Sequence, residues 1–162
     1  PPSDPAKIKG IKSTVEAFKK IAQSKSLFIS RSDNSGTHAK EKAIWKAANI
    51  KPGGEKWYHE TGLGMGQTLN VASEKRAYTL TDRGTYLALK KRLELEMLSY
   101  GDKMLFNIYH VIVVNPERFP KVNASGARAF SDFMVSNEAQ SIIKTFGIAK
   151  FGAPLFFPDA VK

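Results

Sequence analysis

Phe28-Ile29-Ser30-Arg31-Ser32-Asp33-Asn34-Ser35-Gly36-Thr37-His38 passes from an apolar run through a polar turn into a helical pattern. Leu27 to Ser30 has the length and content of a short buried strand, and residues 31 to 36 are dense in turn formers. From Thr37 the period becomes helical, with Ala43, Ile44 and Ala47 on one face, and the pattern stops at Asn49 ahead of Pro52-Gly53-Gly54. A strand that feeds a helix through a tight turn is the building unit of α/β folds.

Ile11, Val15, Phe18, Ile21 and Ala22 recur at helical spacing upstream, so residues 10 to 23 read as an amphipathic helix behind the loop-like Pro1-Pro2-Ser3-Asp4-Pro5. That start has no initiator Met and reads as a loop cut from a longer chain. Downstream, a loop with Trp57, Tyr58, Gly62, Gly64 and Gly66 leads into a helix from about Gln67 to Lys75. Ala77 to Thr81 reads as a strand, ended by Asp82-Arg83-Gly84 and followed by a helix over roughly 84 to 90, which makes a second strand-turn-helix unit. Leu93 to Leu98 has no clear period, and Gly101-Asp102 marks a turn. Tyr109 to Pro116 is β-branched and closed by proline, the strongest strand signal in the chain. One helix or a pair covers 124 to 146, with Ala127, Phe130, Phe133 and Met134 on one face and a stop at Gly147. Together these elements predict an α/β fold with an open mixed sheet flanked by helices.

A length of 162 residues with 42% hydrophobic content suffices for one well-buried domain. The formal charge of +10 suits anionic partners, whether nucleic acid, an anionic membrane surface or a small anion. The basic residues are spread as pairs such as Lys19-Lys20 and Lys75-Arg76, as on solvated helix faces, with no tail-like block. With no cysteine, disulfides, thiolate metal sites and a cysteine nucleophile are excluded. No apolar run approaches the roughly 18 residues of a membrane helix, and no basic start leads into an apolar stretch as a signal peptide would.

The turn from Ser30 to His38 carries the candidate chemistry. A helix start leaves backbone N–H groups unpaired and concentrates about half a positive charge, which makes it an anion site. Gly36 permits close backbone approach, Ser35 and Thr37 offer hydroxyls, and Arg31 adds a forked full charge. The same residues also suit an ordinary capped helix, with Ser35 or Thr37 as the cap and Asp33 or Asn34 in an Asx-turn. Thr81-Asp82-Arg83-Gly84-Thr85 repeats the arrangement. Arg83 could be a second cationic donor or Asp82 could orient Arg31, since turns after adjacent strands line one crevice. Gly62-Leu63-Gly64-Met65-Gly66 matches neither the dinucleotide nor the P-loop pattern. His38, His59 and His110 lack metal spacing, and no Gly-x-Ser-x-Gly elbow accompanies Ser35, so neither a zinc site nor an enzyme is expected.

Ser30-Arg31-Ser32-Asp33-Asn34-Ser35-Gly36-Thr37-His38, then Trp57-Tyr58 with Gly62 to Gly66, then Tyr78 to Thr85, and finally Asn107 to Pro116 resemble, in that order, the tungstate-binding proteins of ABC importers. These belong to the type II class of periplasmic binding proteins, and the likeness covers nearly the whole chain. It implies a second, central lobe over residues 1–108, then a hinge strand and C-terminal helices over 109–162 that return to a first lobe missing from this chain. The anion contacts it implies are Arg31, Ser35, Gly36 and Thr37, with Ser30, Asp82 and Arg83 in support. The ligand would be a tetrahedral oxyanion, tungstate or molybdate, with no cofactor, no cationic metal and no nucleic acid; phosphate, sulfate or a small organic acid would suit the same fold. The partner would be the membrane permease, and the setting periplasmic or extracytoplasmic, lipid-anchored or free. The exposed hinge surface predicts self-association of the fragment. The family usually reads Ser-Arg-Gly-Asp-Asp-Ser-Gly-Thr, so Ser32 stands at a glycine position and Asn34 at an aspartate position.

Overall fold

Phe28–Ser30 forms a strand, β1, buried at every residue in a computed structural model that describes residues 1–160. Both faces of β1 are covered, which is why it reads as a continuous apolar run rather than an alternation. On one face Phe28 joins Phe18, Trp45, Trp57 and Tyr58 in an aromatic cluster whose ring centroids lie 4.5 to 6.2 Å apart. Buried rings of this size contribute roughly 1.5–3 kcal/mol each. On the other face Ile29 packs with Ala72 and Ala77.

The helices of this first unit, Pro1–Phe106, clothe that strand. α1 runs Thr14–Gln23, with Ser13 accepting from the Glu16 N–H as its cap. It begins later than residue 10 because Gly10 is left-handed, at φ +81°, and because the Ser13-x-x-Glu16 sequence fixes the first turn. α2 spans Gly36–Ala47 and packs against α1. It is closed by Asn49 at φ 57°. α3 covers Met65–Glu74, and α4 covers Arg83–Leu89 behind the cap Asp82.

Two strand expectations in this unit are corrected. Tyr58–Glu60, read as loop, is a second strand, β2, parallel to β1 with Phe28 opposite Tyr58 and Ser30 opposite Glu60. Ala77 to Thr81 forms only a parallel bridge, between Tyr78 and Phe28. The Tyr78 N–H donates to Leu27 O and the Ile29 N–H to Tyr78 O, both at 2.8 Å. Ile29 O then accepts from the Thr79 hydroxyl at 2.8 Å, in place of a further backbone donor, and the ladder stops. Neighbouring N–H groups of β1 point to opposite edges, so β1 lies between β2 and Tyr78. The α/β class stands, and these pairings are parallel.

The second unit begins at Asn107. It holds α5 (Ala124–Met134), α6 (Asn137–Thr145) and a short α7 (Ile148–Phe151). Gly147 stands between the last two at φ +94°, where an added Cβ would lie 2.6 Å from the Leu155 side chain. Tyr109 to Asn115, the expected hinge strand, has no regular structure. Among the described residues no strand pairs with it, and Tyr109 is 75% and Ile112 83% exposed. β-propensity reports fit to a half-buried pleated surface, so without a neighbouring strand it has nothing to act on. No helix among the described residues is long and apolar enough to cross a membrane.

Candidate anion site

The chain leaves β1 at Ser30 and enters α2 at Gly36 through a turn in which Ser32 and Asn34 both take left-handed φ, 46° and 59°. Such angles cost a non-glycine residue roughly 1–2 kcal/mol each, so neighbours must hold them. The Ser32 N–H donates to Ser30 Oγ at 3.2 Å, and the Asn34 N–H donates to His38 Nδ1 at 3.1 Å. The Ser35 N–H donates to Asp33 Oδ1 at 3.2 Å, while Ser35 Oγ caps α2 by accepting from the His38 N–H at 3.3 Å. The capped-helix reading of Ser35 is therefore realised.

Donors remain for a ligand. Gly36 and Thr37 open α2, where no carbonyl four residues back can accept their N–H groups. Thr37 adds a side-chain hydroxyl in the same first turn. An added Cβ at Gly36 would meet nothing within 4 Å, so the space before the helix is open. Arg31 pairs through Nη2 with Asp33 Oδ2. Its Nε is buried without a hydrogen-bond partner. A buried guanidinium N–H that nothing accepts is costly unless a ligand completes it.

Asp33, read from the sequence only as a turn former, is the group that pairs with Arg31. The Ser35 hydroxyl, then the Ser35 N–H and Arg31, hold its carboxyl below the usual range against the opposing effect of desolvation. It stays ionised and fixes the guanidinium. His38 is driven below its ordinary pKa by burial first and Lys42 second. Accepting at Nδ1 assigns its proton to Nε2.

Beneath the turn, Ser30 is fully buried and its hydroxyl donates to Glu41 Oε2 at 2.9 Å. Glu41 also accepts at Oε1 from Trp45 Nε1 (3.2 Å) and Tyr58 OH (2.7 Å). Burial raises its pKa, and these three donors oppose the rise. Ser30 thus supports the turn from below. Asp82 does not orient Arg31: its Oδ1 accepts from the Thr85 N–H at 2.7 Å and its Oδ2 from the Thr85 hydroxyl at 2.8 Å. Asp33 holds that place instead. Arg83 is the first residue of α4, whose turn follows the Tyr78 bridge and so leaves the same end of the sheet as the turn after β1. Two surface depressions, one bounded by Lys25, Glu55 and Trp57 and one by Gln140, Lys144 and Phe157, include none of these residues.

Residues 1–138 match the family model of the PBP superfamily domain. The chain belongs to that superfamily. Over 164 aligned residues it is 48% identical to the tungstate-binding protein TupA of Peptoclostridium acidaminophilum, covering 100% of this chain and 57% of that protein. Among solved structures it superposes on the tungstate-binding protein TupA from Desulfovibrio alaskensis G20 with a TM-score of 0.90 at 44% identity, over 99% of this chain and 65% of that one. The tungstate ABC transporter structure from Geobacter sulfurreducens matches at 45% identity and a TM-score of 0.78, over 90% of this chain and 62% of that one. The chain spans a little over half the length of the curated TupA relative. The resemblance read from the sequence is borne out, and with it the periplasmic-binding-protein-like α/β fold.

Proposed function

We propose that this chain supplies the oxyanion-holding lobe of an extracytoplasmic solute-binding protein, which delivers tungstate, with molybdate as close competitor, to the membrane permease of an ABC importer. The observation that carries the reading is Arg31, whose buried Nε lacks a partner beside the open start of α2, in a chain whose relatives bear the name tungstate-binding protein. Its role is binding rather than catalysis.

A fully deprotonated tetrahedral dianion only accepts hydrogen bonds, so a rim of guanidinium, N–H and hydroxyl donors matches it. Protonated phosphate also needs an acceptor. Asp33, the carboxylate within the turn, is already engaged by Arg31 and Ser35, which favours tungstate over phosphate there. Arg31, Gly36 and Thr37 are the direct contacts in this reading. Ser35, Asp33 and Ser30 fix their geometry, and Arg83 approaches from the neighbouring turn. The opposing wall would come from a first lobe, in the part of the relatives' length that this chain does not span, and the closed pair of lobes is what the permease would engage.

Hydrogen bonds to a charged group are worth roughly 1.5–3 kcal/mol each, so removing two with Arg31→Ala should weaken binding by about two to four decades. The test is calorimetric titration of the full-length protein with tungstate, molybdate, sulfate and phosphate, alongside Arg31→Ala and the present chain alone. The expected result is tight tungstate and molybdate binding by the full-length protein, lost in Arg31→Ala. Losing about three such bonds with the opposing wall should cost the isolated chain on the order of three to six decades. No oxyanion binding by the full-length protein would overturn the function.

A further inference from the structure

We infer that Ser32 and Glu60 form a brace that presets the anion turn, making Glu60 a positioning residue for oxyanion binding although it carries the wrong charge to touch the anion. The inference rests on the binding reading above and goes beyond it.

Glu60 is the last residue of β2, and the parallel register places it opposite Ser30, the last residue of β1. The chain beyond Ser30 turns back, and the Ser32 hydroxyl donates to Glu60 Oε1 at 2.8 Å. The same residue's N–H donates to Ser30 Oγ, itself held by the buried Glu41. Ser32 is thus held directly by Glu60 of β2 through its side chain and, through its N–H and the Ser30 hydroxyl, indirectly by Glu41 of α2. It needs this because it sits at φ 46° without being glycine. A glycine would reach that angle without strain but would also leave it freely, whereas a braced serine is ordered before the ligand arrives. Pre-ordering spares binding the entropy of fixing the turn.

Charge alone makes the opposite prediction. Glu60 lies one hydrogen bond from Ser32 in the anion turn, so its charge would repel a dianion held there. Deleting it should tighten binding if repulsion is its only role.

The experiment titrates tungstate into full-length wild type, Glu60→Ala, Glu60→Gln, Ser32→Gly and the Ser32→Gly/Glu60→Ala double variant, and follows amide exchange of residues 32–38 in the unliganded proteins. Glu60 is exposed, so its variants should fold, and a denaturant midpoint checks this. The brace predicts that Glu60→Ala weakens tungstate binding about two- to tenfold, the range set by one modest hydrogen bond. Glu60→Gln, which keeps the acceptor and loses the charge, should bind as well as wild type or better. Ser32→Gly should resemble Glu60→Ala, and the double variant should be no weaker than the weaker single one. Exchange at residues 32–38 should quicken in Glu60→Ala and Ser32→Gly but not in Glu60→Gln. Unchanged or tighter binding by Glu60→Ala, or additive losses in the double variant, would overturn the brace. Failure of wild type to bind any oxyanion would sink the proposed function, and the exchange measurement would then decide the brace alone, with unchanged exchange overturning it.

Discussion

At the scale of single residues, the anion turn is held by side chains whose protonation matters, His38 among them. Its Nδ1 accepts the Asn34 N–H, and burial with Lys42 lowers its pKa, while Asp33 and Glu60 pull the other way less strongly. A base whose folded pKa is depressed binds fewer protons in the folded state than in the unfolded one. Its contribution is full above the unfolded value of about 6.5 and is lost as pH falls below that value, until the folded chain protonates as well. Denaturant midpoints measured from pH 8 to 5 should therefore drop on the acid side. His38→Asn, whose Oδ1 offers an acceptor near the place of Nδ1 and does not titrate, should flatten that limb relative to wild type. An identical acid limb in the variant would remove His38 from the account. Ser35, Gly36 and Thr37 were legible as a helix start because capping chemistry is local, and Arg31 because its charge follows the strand directly. Asp33 was not legible as the group that fixes Arg31, since a turn former and an orienting carboxylate look alike until the guanidinium is seen against it.

At the scale of elements, what the sequence showed was what depends on neighbours in the chain. The β1-turn-α2 unit has an apolar run, turn formers and a capped helical period within twenty residues, and each signal agrees with the others. β2 was missed because two of its residues, His59 and Glu60, are polar and exposed. Its identity as a strand comes from pairing with β1, some thirty residues earlier. Tyr109 to Asn115, expected as a strand, is irregular for the complementary reason, strong propensity with no pairing strand among the described residues. Glu41 was silent in the sequence, a charged residue within a helix, yet it ties α2 to β1 and β2 through Ser30, Trp45 and Tyr58. Replacing it with Leu strands three buried donors, and an unsatisfied buried group costs about 1–3 kcal/mol. Glu41→Leu should therefore lower the unfolding free energy by about 3 kcal/mol or more in a denaturant titration. Glu41→Gln keeps an acceptor for Trp45 and Tyr58 and should lose much less. Equal losses in the two variants would show that the carboxylate's charge, not the number of satisfied donors, sets the effect.

At the scale of the whole molecule, apolar burial is divided unequally between the two units. Among the described residues, every buried hydrophobic except Ala139 lies in the first unit, whereas Ile108, Tyr109, Ile112, Val114, Phe119, Phe130, Ile142, Phe146 and Phe157 of the second are among the large hydrophobics left exposed. An apolar surface of this extent marks an interaction site or an association hazard, and in the two-lobed reading proposed above it would face the further lobe. Stability should follow the same division, because protection from hydrogen exchange tracks buried contacts. Peptides from residues 14–48 should exchange slowly and those from 107–123 within the dead time of the measurement. A chain cut after Phe106 should keep a cooperative unfolding transition, since it retains nearly the whole core. In the full-length protein residues 108–115 should become protected, as a strand that has found its ladder. The isolated chain should meanwhile bind a hydrophobic dye and sediment above the mass of a monomer. Slow exchange of 107–123 in the isolated monomer would mean that this unit buries its own surface, and the two-lobed reading of that surface would fail.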